Sequence, residues 1–350
     1  MDGQRAQTRD VGVDAVKAAA ILGVVLLHTS TDGYASSMGG FDWYASLFWG
    51  CLVRASVPLF LMCSGTLLLP PEKDLPLRRL WGRNILRIVV AMCAWAVFYK
   101  VFHLLGSGAF SLAALWQGVK EVLVFDQEFH LYFLHIILLV YAFLPLTRLF
   151  VRHASEQTLR YALALWFALG ILYPTVRPWW PFTLLTGVPT LWPMNMAYAA
   201  VGYGLLGWYL TRHLPKTGAA AALTAAGFAL VFVPTVVLSL RKGALEEHYL
   251  EGMGVGVCVL AVGLYSLLYR VGRKAAGSRL GAAATKLSVA SFGIYLVHVV
   301  WLTVFRHVGL TVFAFPTLLS VPALAACNVA LSWLCQALLA RIPFVRRWLV

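Results

Sequence analysis

Ten apolar runs follow one another along this 350-residue chain, at about residues 11–30, 44–69, 84–107, 130–150, 158–176, 189–211, 217–239, 253–270, 287–307 and 317–340. They have the length a helix needs to cross the ~30 Å hydrocarbon core of a bilayer, with 158–176 and 253–270 the shortest. In that medium backbone N–H and C=O groups must pair within the segment, so such runs become helices. Only 12% of residues are charged, against about 25% in soluble domains. Little chain is left over for a soluble domain. The expected fold is an all-α integral membrane protein, a bundle of about ten transmembrane helices.

The charges test that count. With the N-terminus in the cytoplasm, 20 of the 28 Lys and Arg residues fall on the cytoplasmic side, beginning with Arg5 and Arg9, and six on the outer side. Lys17 and Arg54 lie inside spans. This alternation follows the positive-inside rule and puts both termini in the cytoplasm. The net charge of +14 is therefore spread over short clusters between spans, which is not the continuous basic surface that nucleic acid requires. The first run has no small-residue cleavage site and contains Asp14 and Lys17, so it is expected to remain as a span. The six cysteines lie in apolar runs without ligand spacing, and no metal motif appears.

The run DAVKAAAILGVVLLH (14–28) is the least ordinary of the ten. At ~100° per residue, Lys17 and His28 lie within about 20° of each other, and Asp14 about 40° from His28. The helical rise between Lys17 and His28 is about 16 Å. Ionisable residues inside a span are costly and mark function by default. A neutral imidazole at His28 is suited to take a proton from a hydroxyl, and Asp14 either pairs with Lys17 or serves the helix start. The stripe fits catalysis or a transport path equally.

Other polar residues add to it. Arg54 lies deep in RASVPLFLMCSG, where Pro58 can break or tilt the second span. LPLRRLWGRNILR is the densest cationic stretch; Arg79, Arg83 and Arg87 recur every four residues and, with Arg78, suit phosphates or lipid headgroups. The fourth run opens HLYFLH, with His130 and Tyr132 at its boundary and His135 deeper. The ninth contains SFGIYLVH, with Tyr295 and His298. His28, His135 and His298 are expected to face one polar cavity. The loop 108–129 contains an amphipathic piece suited to the interface. The Trp- and Pro-rich loop 174–189 fits an aromatic belt or a sugar-stacking platform. No internal repeat of the transporter kind is visible.

Taken in order, DAVKAAAILGVVLLH, RASVPLFLMCSG, RNILRI, HLYFL and SFGIYLVH make the chain resemble acyltransferase family 3, especially its short stand-alone bacterial type, similar to the enterobacterial common antigen O-acetyltransferase. In that family the first span has a basic residue, ten intervening residues and a histidine, matched here by Lys17 and His28. Lysine replaces the commoner arginine, and the basic pair opening the third span is matched by Arg83 and Arg87 with three residues between.

The resemblance implies one transmembrane acyltransferase domain over residues 1–350, without an appended soluble domain, in the bacterial cytoplasmic (inner) membrane. It implies transfer of an acyl group, usually acetyl, from cytoplasmic acyl-CoA to a hydroxyl of a sugar or lipid-linked glycan at the outer face. His28 would be the general base, with Lys17 orienting the donor and Arg54 contacting donor or developing charge. Arg78, Arg79, Arg83 and Arg87 would meet the CoA phosphates; Asp14, His130, Tyr132, His135, Tyr295 and His298 are pocket candidates. Membrane lipid is the surrounding partner, and neither metal nor nucleic acid is implied. A transporter or flippase for a lipid-linked sugar or small metabolite is the rival reading.

Overall fold

The computed structural model describes residues 9–350, and Arg5 lies outside them. Among the described residues there are helices and turns but no strand. The first span is α1 (Val11–Ser30). Asp10 caps it, its carboxylate accepting from the N–H groups of Gly12 and Val13 and so satisfying donors that a helix start leaves free.

The second run is two helices, α2 (Phe41–Leu52) and α3 (Ser56–Leu68), with a turn over 53–55. Pro58 is responsible, but the break falls before it. A proline ring clashes with the carbonyl four residues back, here that of Arg54. Pro58 itself sits in the first turn of α3, where its missing N–H costs nothing. Arg54 thus stands in the gap of a broken membrane helix.

The third span begins with α4 (Leu77–Arg79) and a π-helical turn at Leu80–Ile85, then runs through α5 (Leu86–Gly106). The amphipathic α6 (Leu112–Leu123) packs on α5. Next come α7 (Tyr132–His153), α8 (Glu156–Trp166) and α9 (Tyr173–Val176), the last two joined by a second π-helical turn. Then follow α10 (Met196–Leu210), α11 (Thr217–Lys242), α12 (Val255–Lys274), α13 (Arg279–His307), α14 (Thr317–Leu339) and the short α15 (Pro343–Trp348).

Among the described residues nine helical segments are long and apolar enough to cross a membrane. The run 189–211 differs because Pro189 and Pro193 leave its start in short turns, so α10 has 15 residues, about 22 Å of rise. It is still interior. Ala199, Ala200 and Tyr203 are fully buried, and α10 lies against α3 and α7. The contact with α3 depends on small residues: a Cβ on Gly65 would stand 1.8 Å from the Gly204 carbonyl oxygen, and one on Gly207 2.2 Å from that of Met62.

The centre of the bundle is α1, which packs against α2, α3, α12, α13 and α14. Val16, Ala20, Ile21 and Val25 are fully buried there. Surrounded in this way, its polar side chains reach protein rather than lipid.

Candidate active site

His28, in the last turn of α1, lines a cavity of about 480 Å³ with Arg54, Tyr132, Phe129 and Arg306 among its neighbours. Its Nδ1 is 2.7 Å from Nε2 of the buried His298. His298 Nδ1 is in turn 2.6 Å from the Tyr295 carbonyl oxygen. A carbonyl only accepts, so His298 keeps its proton on Nδ1 and its Nε2 receives the Nδ1–H of His28. The chain of bonds thereby fixes the His28 tautomer and leaves the lone pair of its Nε2 free.

A further shell holds His298. Asn328 Nδ2 donates to the His298 carbonyl at 3.0 Å, and Ser332 Oγ donates to Asn328 Oδ1 at 2.9 Å. The buried His130 meets His298 edge-on at 5.2 Å between centroids, and Tyr295 Oη donates to the His130 carbonyl. Phe129 packs its edge against His28 at 5.1 Å.

Arg54 enters the same cavity from the helix gap. Its Nε donates to the Leu250 carbonyl, and among the described residues no carboxylate lies within ion-pair distance of it. Arg306 is different: Asp32 takes its Nε and Nη2 at 3.1 and 2.5 Å in a forked pair.

Lys17 opens onto a second cavity, about 370 Å³, shared with Ser64, Arg83, Arg87, Tyr141 and Tyr295. Three cations therefore border one space. Arg87 also donates to the main-chain oxygen of Val350 at 2.7 Å and lies over the Phe292 ring at 5.3 Å. Arg78 and Arg79 do not border it and are exposed. The even four-residue spacing puts Arg79, Arg83 and Arg87 on one face only in a regular α-helix. The π-helical turn at Leu80–Ile85 closes i→i+5 bonds and changes that register.

The two cavities nearly meet. On α3, Val57 borders the His28 cavity and Phe60 the Lys17 cavity, a separation of about 4.5 Å along the axis. On α7, the adjacent Tyr132 and Phe133 do the same. The wall is an aromatic layer in which Phe133 contacts Phe60 at 6.1 Å and Tyr295 at 5.7 Å between centroids.

Asp14 borders neither cavity. It pairs with Arg9, at 2.5 and 2.8 Å, and not with Lys17, and it accepts from Thr285 Oγ1 at 3.0 Å and Ser288 Oγ at 2.7 Å. It ties the start of α1 to α13. His135 also stands apart, 3.4 Å from Gln127 Oε1 and edge-on to Phe125. The histidine group is His28, His130 and His298, with His130 buried rather than at a boundary. Among the described residues no group of three His, Cys, Asp or Glu side chains is set to hold a metal.

The sequence reading missed Arg306, Asp32 and Asn328. Asn328 could have been found, since an amide in the apolar run ALAACNVALSW needs a partner inside the membrane. A larger cavity, about 670 Å³, lies between α5, α6 and α13. Of its acid–base groups, Lys100 pairs with Glu121 at 2.6 Å and His103 with Glu128 at 2.8 Å, while His307 Nδ1 lies 2.8 Å from the Thr303 carbonyl oxygen.

A family model described as an acyltransferase domain matches residues 10–337, from the cap of α1 to near the end of α14. The chain belongs to acyltransferase family 3. It is a multi-pass membrane protein, and both cavities fall inside the family domain. The match is to acyltransferase family 3 as a whole rather than to its enterobacterial type. Comparison with curated proteins and with solved structures gave no match.

Proposed function

We propose that the protein transfers an acyl group, acetyl in the simplest case, from acyl-CoA to a hydroxyl of a sugar or lipid-linked glycan. The observation that carries this reading is the pairing of cavities. A basic nitrogen with a fixed tautomer faces one, three cations border the other, and one helical turn of aromatic side chains separates them.

In this reading the CoA end of the donor meets Lys17, Arg83 and Arg87, with the exposed Arg78 and Arg79 nearby on the chain for the outlying phosphates. The pantetheine arm passes the Phe60–Phe133–Tyr295 layer. His28 Nε2 takes the proton of the acceptor hydroxyl as its oxygen attacks the thioester carbonyl carbon. The tetrahedral oxyanion collapses, the C–S bond breaks, and the imidazolium returns the proton to the departing sulfur. His298 is a positioning residue, holding the imidazole as the orienting group of a catalytic triad does. A covalent acyl-enzyme is not required by this arrangement.

In this reading the donor end and both termini lie in the cytoplasm and the His28 cavity in the outer half of a bacterial cytoplasmic membrane, which the charge alternation supports through the positive-inside rule. In this reading one acyltransferase unit makes up residues 1–350, and the family match over residues 10–337 supports it. Transport of a lipid-linked sugar is the rival, and membership of an acyltransferase family weighs against it.

The test is transfer of radiolabel from acetyl-CoA to glycan by purified protein in proteoliposomes. His28→Ala is expected to lose about 10²-fold or more in turnover while unfolding at the wild-type temperature. Lys17→Ala is expected to raise KM for the donor. Full activity in a folded His28→Ala protein overturns the mechanism.

A further inference from the structure

Arg54 is an unusual cation. It stands in the gap between α2 and α3, in a cavity where Leu27, Val57, Phe129 and Tyr132 alternate with His28, Thr31 and Arg306. One N–H of its guanidinium is spent on the Leu250 carbonyl. Its two terminal nitrogens have no hydrogen-bond acceptor among the described residues, and no carboxylate neutralises it there. The other guanidinium of the cavity, Arg306, is already neutralised by Asp32. The cavity therefore has one uncompensated charge, presented as a planar fork, facing the same space as His28.

Arg54 is half-buried, and a partly desolvated charge gains from an anion that pairs with it. A guanidinium fork with free terminal N–H groups matches two oxygens of one anion. From this we infer that the acceptor is itself anionic: a phosphate or carboxylate on the sugar is held by Arg54, which sets the neighbouring hydroxyl against His28 Nε2. A neutral sugar would leave Arg54 unpaired and would bind less well. The inference rests on the transfer reading, because it assigns the anion to the acceptor, but its test does not depend on turnover.

The test uses the full-length protein in nanodiscs of zwitterionic phosphatidylcholine, with diethylpyrocarbonate modification of His28 followed by mass spectrometry. Glucose 1-phosphate and glucuronate are the anionic probes, and glucose is the neutral control. Protection of His28 is expected from one or both anionic sugars at concentrations where glucose gives none. A preference between them tells a phosphate-bearing acceptor from a uronate. Arg54→Gln is expected to weaken protection about tenfold or more, and Arg54→Lys, which keeps the charge but loses the fork, to weaken it less. Wild-type thermal unfolding in both variants shows that they are folded. Equal protection by glucose, protection by none of the three, or protection unchanged in folded Arg54→Gln overturns the inference. A failure of the transfer reading appears separately, as wild-type protein that passes no label from acetyl-CoA to any glycan.

Discussion

His298 shows how much one buried side chain can determine. Its bond to the Tyr295 carbonyl selects its own tautomer, and that selects the tautomer of His28. His298→Ala is expected to lower kcat about 10²-fold with KM for acyl-CoA unchanged. His298→Gln, whose amide oxygen still accepts from His28 Nδ1–H, should recover part of the loss; equal defects in both variants would refute the positioning role. Because the base acts as neutral imidazole, turnover should fall toward acid pH in the wild type. Asp14 has the opposite character. Asp14→Ala removes the bonds to Ser288 and Thr285 and should cost about 1–3 kcal/mol, seen as a lower unfolding temperature in detergent with turnover per folded molecule kept. The sequence made His28, His298 and Arg54 visible because ionisable residues stand out in apolar runs. The 270-residue separation of His28 and His298 hid their pairing, and Asp14 was drawn to the wrong partner because its real ones, apart from Arg9, sit on α13.

At the scale of elements, the instructive segments are those that depart from a regular helix. Pro58 breaks the second span at residues 53–55 and thereby delivers Arg54 to the cavity. Pro58→Ala restores an N–H and removes the clash with the Arg54 carbonyl, so it should leave the fold intact while raising the KM for acceptor. An unchanged acceptor KM would detach the break from Arg54's placement. The α3–α10 crossing is set by glycine: Gly65→Val is expected to prevent folding, since its Cβ meets the Gly204 backbone at 1.8 Å. Gly106→Ala, with nothing within 4 Å, should unfold at the wild-type temperature or slightly above. Sequence periodicity assumes 100° per residue throughout. It therefore read the apolar runs well but missed both π-helical turns, and with them the separation of Arg83 and Arg87 from Arg79. Proline before a run shortened α10 for a reason that hydropathy alone does not register.

For the whole molecule, composition and run length were enough to give an all-α membrane bundle, and the order of five motifs was enough to give the family. What no single sequence feature could supply was the division of the polar interior into two spaces, because that depends on which helices surround α1. The proposed orientation is open to direct measurement: in a cysteine-free background, a membrane-impermeant maleimide applied to intact cells should label Ser37→Cys and spare Ser278→Cys, and the reverse pattern would invert the orientation. The central claim is that the donor enters from the Lys17 side and delivers its thioester through the aromatic layer to His28. A structure of the protein with a non-hydrolysable acetyl-CoA analogue bound tests it most directly. The account predicts phosphates at Arg83 and Arg87, the pantetheine arm past Phe60, Phe133 and Tyr295, and the carbonyl carbon in the His28 cavity with room for a hydroxyl against Nε2. A donor seated in the α5–α6–α13 cavity beside Lys100, with its thioester remote from His28, would contradict it.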